Sequence, residues 1–165
     1  MYNRSAVRFA SVTDGLSNTA FFSERLRGMG TKDAVRDLYW TTETTSIDEM
    51  YLSCKSLNTG MDMAMVIASR MGGSWSTGGL TYTVYNHVGP PGSTSCSGMQ
   101  GMMMGEKTAM VNMSFQLPPS SNHPGGVNVL FGDGSVHFIK QTIGLPVWRA
   151  LGTRNGGEVL SSTDF

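Results

Sequence analysis

The sequence has little charge and no cluster of either sign. Its 165 residues carry twelve Lys and Arg against twelve Asp and Glu, so charged residues make up 15% of the chain and the formal net charge is zero. Proteins that bind nucleic acid neutralise phosphates with clustered Lys and Arg. The chain has no basic run, and its composition therefore argues against a nucleic-acid binder.

Long apolar runs are also missing. The longest uninterrupted one, Met63 to Ala68, is far shorter than the ~20 residues of a membrane-spanning helix, and no secretion leader opens the printed sequence. Leu, Ile, Val and Phe are scarce, but thirteen Met residues bury comparable apolar area. A chain of this length buries roughly 69% of its surface on folding. We therefore expect one globular domain over residues 1–165, with no anchor helix and no membrane span.

Cysteine is nearly absent. Cys54 and Cys96 are the only two, and they form no C-x-x-C pair, so a zinc site is not expected. A disulfide between them would close a loop of about 43 residues, contribute about 4 kcal/mol, and require an oxidising compartment. The count alone leaves a disulfide and two free thiols equally open.

Local patterns predict an α+β fold in which an antiparallel sheet lies beside short helices. The clearest signal is a C-terminal hairpin, because β-rich segments 127–131 and 136–140 flank Gly132-Asp133-Gly134-Ser135. An ordered loop is expected to lead into a strand that starts near Ala20. Further strands are predicted over 80–85, 109–115 and 158–160, helices over 47–57, 62–71 and 146–151, and a loop over 89–105.

The candidate metal ligands are oxygen-bearing side chains. Ca²⁺ takes six to eight oxygens, and a glycine-containing loop offers Asp14, Ser17, Asn18 and Glu24, with Asp133 as a further candidate at the hairpin turn. The competing interpretation is that the Asp and Asn side chains bond to nearby backbone amides and hold their turns.

His123 also has two interpretations. In the structural one, its imidazole bonds to the hairpin loop or to the carboxylate of Asp133. In the catalytic one, His123 is a general base oriented by Asp133, with Ser120, Ser121 or a water as the nucleophile. The chain contains neither G-x-S-x-G nor His-Glu-x-x-His, which are the common hydrolase signatures.

The aromatic side chains and the two other histidines are predicted to have structural roles. Trp75, Tyr82 and Trp148 are predicted to lie in the core or at its edge. His87 and His137 are predicted to lie on strand or loop surfaces, and His137 should point to the opposite face from Val136 and Phe138.

Several of these segments resemble a known family. His123, nine further residues and then Asp133-Gly134 match the C-terminal motif of a pseudopilin-like family of unknown function that is abundant in planctomycete-type bacteria. The flanking residues 120–126 and 132–136, the tail 151–159 and the block 13–24 are also similar to that family. A weaker similarity runs from Trp75 to Cys96.

The resemblance implies a pilin-like domain similar to the major pseudopilins of type II secretion. Family members usually begin with a prepilin-type leader and an anchor helix, so this sequence is expected to represent the globular part alone. Its implied role is an extracytoplasmic structural or interaction domain of a type II secretion or type IV pilus-like assembly. Its implied partners are other pseudopilins or envelope proteins, and its implied stabilising ion is Ca²⁺.

The alternative hypothesis is a small hydrolase in which Ca²⁺ polarises an ester carbonyl while His123 or a metal-bound water attacks. A third, a binder of carbohydrate or surface polymers, depends only on aromatic side chains and loops.

Overall fold

Two three-stranded sheets and two α-helices make up the regular structure of the described residues. The computed structural model describes residues 7–42, 44–59, 71–76, 79, 82–98, 115–161 and 165. The elements in chain order are β1 (Ala20–Ser23), β2 (Leu38–Thr41), α1 (Ile47–Lys55), β3 (Ser95–Gly98), β4 (Phe115–Gln116), β5 (Gly126–Phe131), β6 (Val136–Lys140) and α2 (Leu145–Ala150). Among these residues no helix is both long and apolar enough to cross a bilayer. The predicted α+β class is confirmed.

The first sheet contains the predicted hairpin. Its strand order is β1-β5-β6, and every pairing is antiparallel. Alternate residues of β5 and β6 face the core, where Val129, Phe131 and Ile139 pack against Trp148 and the following turn. His137 points to the opposite face from Val136 and Phe138, as predicted. Its predicted surface position is wrong, because its ring contacts buried Phe131, whereas Val136 and Phe138 are the exposed residues.

Helix α2 closes this core. Pro146 lies in its first turn, where its missing N–H costs no hydrogen bond. Trp148 is fully buried, as predicted, and its indole N–H donates to the carbonyl of Gly89 at 2.7 Å. This bond ties the helix to the loop that precedes β3.

The second sheet is mixed. Strands β2 and β3 run parallel, and β3 and β4 run antiparallel, so the predicted antiparallel arrangement holds only for the first sheet. Helix α1 begins where the sequence predicts a helix, because the Ser46 hydroxyl accepts a hydrogen bond from the amide of Glu49 and caps the first turn. A disulfide between Cys54 and Cys96 joins α1 to β3, with Cα atoms 5.8 Å apart.

The side chain of Arg25 links the two sheets. It follows β1, and its guanidinium donates to the carbonyl of Pro118 at 3.3 Å and to the hydroxyl of Ser95 at 3.2 Å. Burial lowers the pKa of this guanidinium to about 10, because desolvation disfavours the charged form. Neutral acceptors therefore hold this cation between the sheets.

Several sequence predictions are wrong. The segment 95–98, predicted as a loop, forms β3. No strand occurs over 158–160 or in residues 82–85. Trp75, predicted as a core aromatic, is 92% exposed. The predicted helix over 62–71 and the strand over 109–115 lie almost entirely outside the described residues; of these segments the structure describes only Met71, which is buried, and Phe115, which starts β4.

Candidate functional site

The partner of His123 is Glu24. His123 lies just before β5, and its Nε2 atom is 3.2 Å from one carboxylate oxygen of Glu24. The other oxygen accepts a hydrogen bond from the amide of Asn128 at 2.7 Å. This pair joins the loop before β5 to the end of β1, and the His123 side chain remains 52% exposed.

Asp133 does not contact His123, so that expected contact is wrong. The nine residues between them contain all of β5, whose length at ~3.4 Å per residue separates the two ends of the strand by roughly 17 Å. The Asp133 carboxylate instead accepts hydrogen bonds from the hydroxyl and amide of Ser135, at 2.7 and 2.9 Å. The Ser135 hydroxyl and then its amide lower the pKa of Asp133. The carboxylate therefore holds the hairpin turn.

The serines beside His123 also bond to backbone groups. The hydroxyl of Ser121 donates to the carbonyl of Gly126 at 2.8 Å and accepts from the amide of His123 at 3.0 Å. The hydroxyl of Ser120 accepts from the amide of Leu26 at 3.0 Å. Neither hydroxyl is bonded to the imidazole, so the arrangement lacks the nucleophile–base pair that the catalytic interpretation requires.

Removing the Glu24 carboxylate should destabilise the protein more than removing its histidine partner. Glu24→Ala leaves the partly buried amide of Asn128 without its acceptor, and we expect a loss of about 1–3 kcal/mol in unfolding free energy. His123→Ala removes a half-exposed polar contact with this carboxylate, worth about 0–1 kcal/mol. Urea titration of both variants measures the difference, and a larger loss for His123→Ala would contradict the bracing role of Glu24.

Asp14 ties the N-terminal loop to the C-terminal tail. One carboxylate oxygen accepts from the amide of Gly157 at 3.0 Å; the other accepts from the amide of Gly156 at 2.8 Å and from the hydroxyl of Thr153 at 3.0 Å. The Gly157 amide is the largest cause that lowers the pKa of Asp14. Both oxygens therefore already accept hydrogen bonds from the protein.

The candidate calcium ligands are dispersed. Asp14 precedes β1 and Glu24 follows it, so the strand separates them, and Ser17 lies in a short 3-10 turn between. The side-chain amide of Asn18 donates to the carbonyl of Asp14 at 3.2 Å. In the described part of the chain, no three His, Cys, Asp or Glu side chains are grouped so that they could hold a metal. Calcium binding by these residues and Asp133 stays a prediction.

A cleft of about 610 Å³ lies between the N-terminal segment, β1, the 85–88 loop and α2. This volume falls within the usual range for small-molecule sites. Its walls are mainly apolar and include the stacked rings of Phe9 and Phe21, 6.3 Å apart. Three arginines also line it: Arg8, Arg149 and Arg154.

His87 forms part of this cleft, contrary to the prediction of a surface position. Its ring stacks on that of Trp148 at 3.9 Å, and its Nδ1 atom is 2.7 Å from the carbonyl of Trp148. Burial lowers the pKa of His87 to about 4, so the ring is neutral near pH 7. A carbonyl only accepts, so Nδ1 carries the proton and Nε2 carries the lone pair.

No periodic pattern in the sequence predicts that the His87 ring packs against Trp148. His87 lies in an irregular loop, and its position depends on Trp148 and Gly152, which come more than sixty residues later. A Cβ atom added at Gly152 would lie 2.5 Å from Cγ of His87, so the ring fits only because residue 152 has no side chain.

Comparison with known proteins identifies one family. A family model described as "Protein of unknown function (DUF1559)" matches residues 1–145. That stretch contains the six strands seen in the described residues and the His123–Asp133 segment. No curated protein and no solved structure matches the chain.

Proposed function

The chain belongs to the DUF1559 family of proteins of unknown function, and we propose that it is a structural and interaction domain that acts outside the cytoplasm, with no catalysis of its own. The proposal extends to assembly with pseudopilins or other envelope proteins in a type II secretion or type IV pilus-like system. Calcium bound near Asp14 belongs to the proposal only as a stabiliser.

The observation that carries the proposal is the disulfide. Cys54 and Cys96 are 1% and 0% exposed, and their bond joins α1 to β3 in a small core that also contains Tyr39 and Met50. Structural disulfides of this kind form and persist in oxidising compartments and are rare in the reducing cytosol. The bond therefore supports a place in the cell envelope.

The candidate carboxylates identified from the sequence hold loops in place by accepting hydrogen bonds from backbone amides. Glu24 accepts the amide of Asn128, Asp133 accepts the amide of Ser135, and Asp14 accepts two amides of the tail. Asp37, fully buried, does the same for the amides of Met29 and Gly30. Carboxylates committed to backbone amides hold loops in place, and this supports a structural role over hydrolysis.

The outer face of the first sheet offers a contact surface for an assembly. Phe22 of β1 and Val136 of β6 are 63% and 61% exposed, and Phe138 beside them is 45% exposed. All three lie on the face opposite the core, since their pairing partners alternate with the buried residues of β5. Contiguous exposed apolar groups commonly mark protein–protein contacts.

Cell fractionation combined with alkylation tests the compartment. In cells that make the protein, we expect it in the envelope fraction, with Cys54 and Cys96 of the denatured protein protected from alkylation until a reductant is added. Denaturation is needed because both side chains are buried, so even free thiols would resist alkylation in the folded protein. The matched control is the same preparation alkylated after reduction, in which both cysteines must react. Recovery in the cytosol with both thiols freely alkylated would contradict the proposal.

A panel of ester substrates tests the hydrolase alternative directly. We expect no turnover by the purified protein, with or without Ca²⁺. Turnover that disappears in His123→Ala or Asp133→Ala, in a variant whose melting temperature is unchanged, would replace the structural proposal with the catalytic one.

A further inference from the structure

The cleft beside His87 has an uneven distribution of charge. Among the described residues that line it there are three arginines and no Asp or Glu. Arg149 is already committed, since it pairs with Asp48 and donates to the carbonyl of Val88. Arg8 and Arg154 are exposed, and neither forms an ion pair within the described ranges. Two of the lining guanidinium groups, those of Arg8 and Arg154, are therefore without a carboxylate partner in the described part of the chain.

The carboxylates close to the cleft are held by other donors. Asp48 pairs with Arg149, and Asp14 accepts the two tail amides and the hydroxyl of Thr153. One carboxylate oxygen of Glu158 also lies 3.2 Å from that hydroxyl, as an alternative acceptor for its proton. None of these carboxylates is among the lining residues or pairs with Arg8 or Arg154, so both guanidinium groups can still donate to an incoming carboxylate.

The apolar side chains that line the cleft favour a ligand that carries an apolar group. Phe9 and Ile47 are 67% and 56% exposed, although both line the cleft. Leaving such side chains in water costs roughly 25 cal/mol for each Å² of apolar surface. A ligand that covers them would recover part of that free energy, whereas a small inorganic anion would not.

His87 also lines the cleft. Its neutral ring offers no positive charge to a carboxylate. The exposed guanidinium groups of Arg8 and Arg154 are therefore the cationic groups left for one among the described lining residues.

We propose that this cleft binds a small organic acid, with its carboxylate at Arg8 and Arg154 and an aliphatic or aromatic body against the apolar walls. Arginine suits this role because its planar fork can donate two hydrogen bonds to one carboxylate. The inference is independent of the structural role proposed above, since a domain of either function can contain the site.

Isothermal titration with three probes tests the proposal. We expect 3-phenylpropionate to bind saturably at one site, and 3-phenylpropanol, which keeps the body but lacks the charge, to bind at least tenfold more weakly. Acetate, which keeps the charge but lacks the body, should show no saturable binding. Equal affinity for the acid and the alcohol, or no saturable binding of the acid at millimolar concentration, would overturn the proposal.

Arginine variants locate the binding site. Arg8→Gln and Arg154→Gln should each weaken 3-phenylpropionate binding about three- to tenfold, with little effect on phenylpropanol. Arg27→Gln is the matched control, because Arg27 is exposed and does not line the cleft, and it should leave affinity unchanged. Melting temperatures establish that the variants fold, and an affinity lowered equally by all three variants would show that net charge alone attracts the acid.

Discussion

Replacing Cys54 and Cys96 together with Ala is expected to lower the free energy of unfolding by about 4 kcal/mol. The disulfide closes a loop whose ends are 42 residues apart in sequence. A closed loop of this size lowers the conformational entropy of the unfolded chain and so raises its free energy by about 4 kcal/mol. In a domain of this length the loss corresponds to about 8–16 °C in melting temperature. Urea titration and thermal melting measure both quantities. Alanine avoids adding two buried hydroxyls, which would introduce a separate cost.

The control is the wild-type chain in reductant. If the bond acts through loop closure, reduced wild type should unfold close to the double Ala variant, and reductant should leave the variant unchanged. Met50 and Leu57 pack around Cys54 in the same small core, so α1 retains apolar contacts after the bond is removed. Equal stability of oxidised wild type and the double variant would contradict both the predicted loss and the structural role of the bond.

The hairpin of the first sheet and helix α2 could be predicted because their signals are local. The Asp-Gly turn specifies the hairpin, and the alternation of Val, Leu and Phe in β5 sets which face is buried. In α2, Pro146 and the spacing of Trp148 and Leu151 mark a short amphipathic helix. In each case neighbouring residues determine the structure, so the pattern and the fold agree.

The second sheet could not be predicted in the same way. Strand β3 is Ser-Cys-Ser-Gly, which has no branched or aromatic residue and a low strand propensity. It becomes a strand because Leu38 to Thr41 pair with it from about sixty residues away and the disulfide holds it to α1. Such tertiary partners leave no periodic pattern in a single sequence.

Candidate site residues could be identified, but their partners could not. His123, Asp133 and Asp14 all hold important loops, yet the motif suggested that His123 and Asp133 meet. Strand β5 lies between these two residues and keeps them apart. The carboxylate beside His123 belongs to Glu24, almost one hundred residues earlier in the sequence. A motif spacing equal to the length of a strand therefore predicts residues at opposite ends of that strand.

Acid should destabilise the protein through His87. Its folded pKa is lowered to about 4, against about 6.5 in the unfolded chain, so between these values the unfolded state binds a proton that the native state does not. The contribution of neutral His87 to the free energy of unfolding is therefore fully present above pH 6.5. It is lost progressively as the pH decreases from 6.5 toward 4. The loss amounts to at most about 3 kcal/mol, since each unit of pKa difference is worth about 1.4 kcal/mol. Urea titrations at half-unit intervals of pH measure it.

His87→Asn isolates this contribution. The Asn amide can still donate to the carbonyl of Trp148, but it does not titrate, so the variant should lose little stability between pH 6.5 and 4. Carboxylates with lowered pKa values, such as Asp14 and Asp133, act equally in both proteins and cancel in the difference between the two curves. If the unfolding free energies of wild type and His87→Asn changed with pH in parallel over this range, the His87 ring would have to accept a proton without leaving its position in the folded protein. The stacking on Trp148 and the close approach of Gly152 would then tolerate a buried charge, contrary to the desolvation argument.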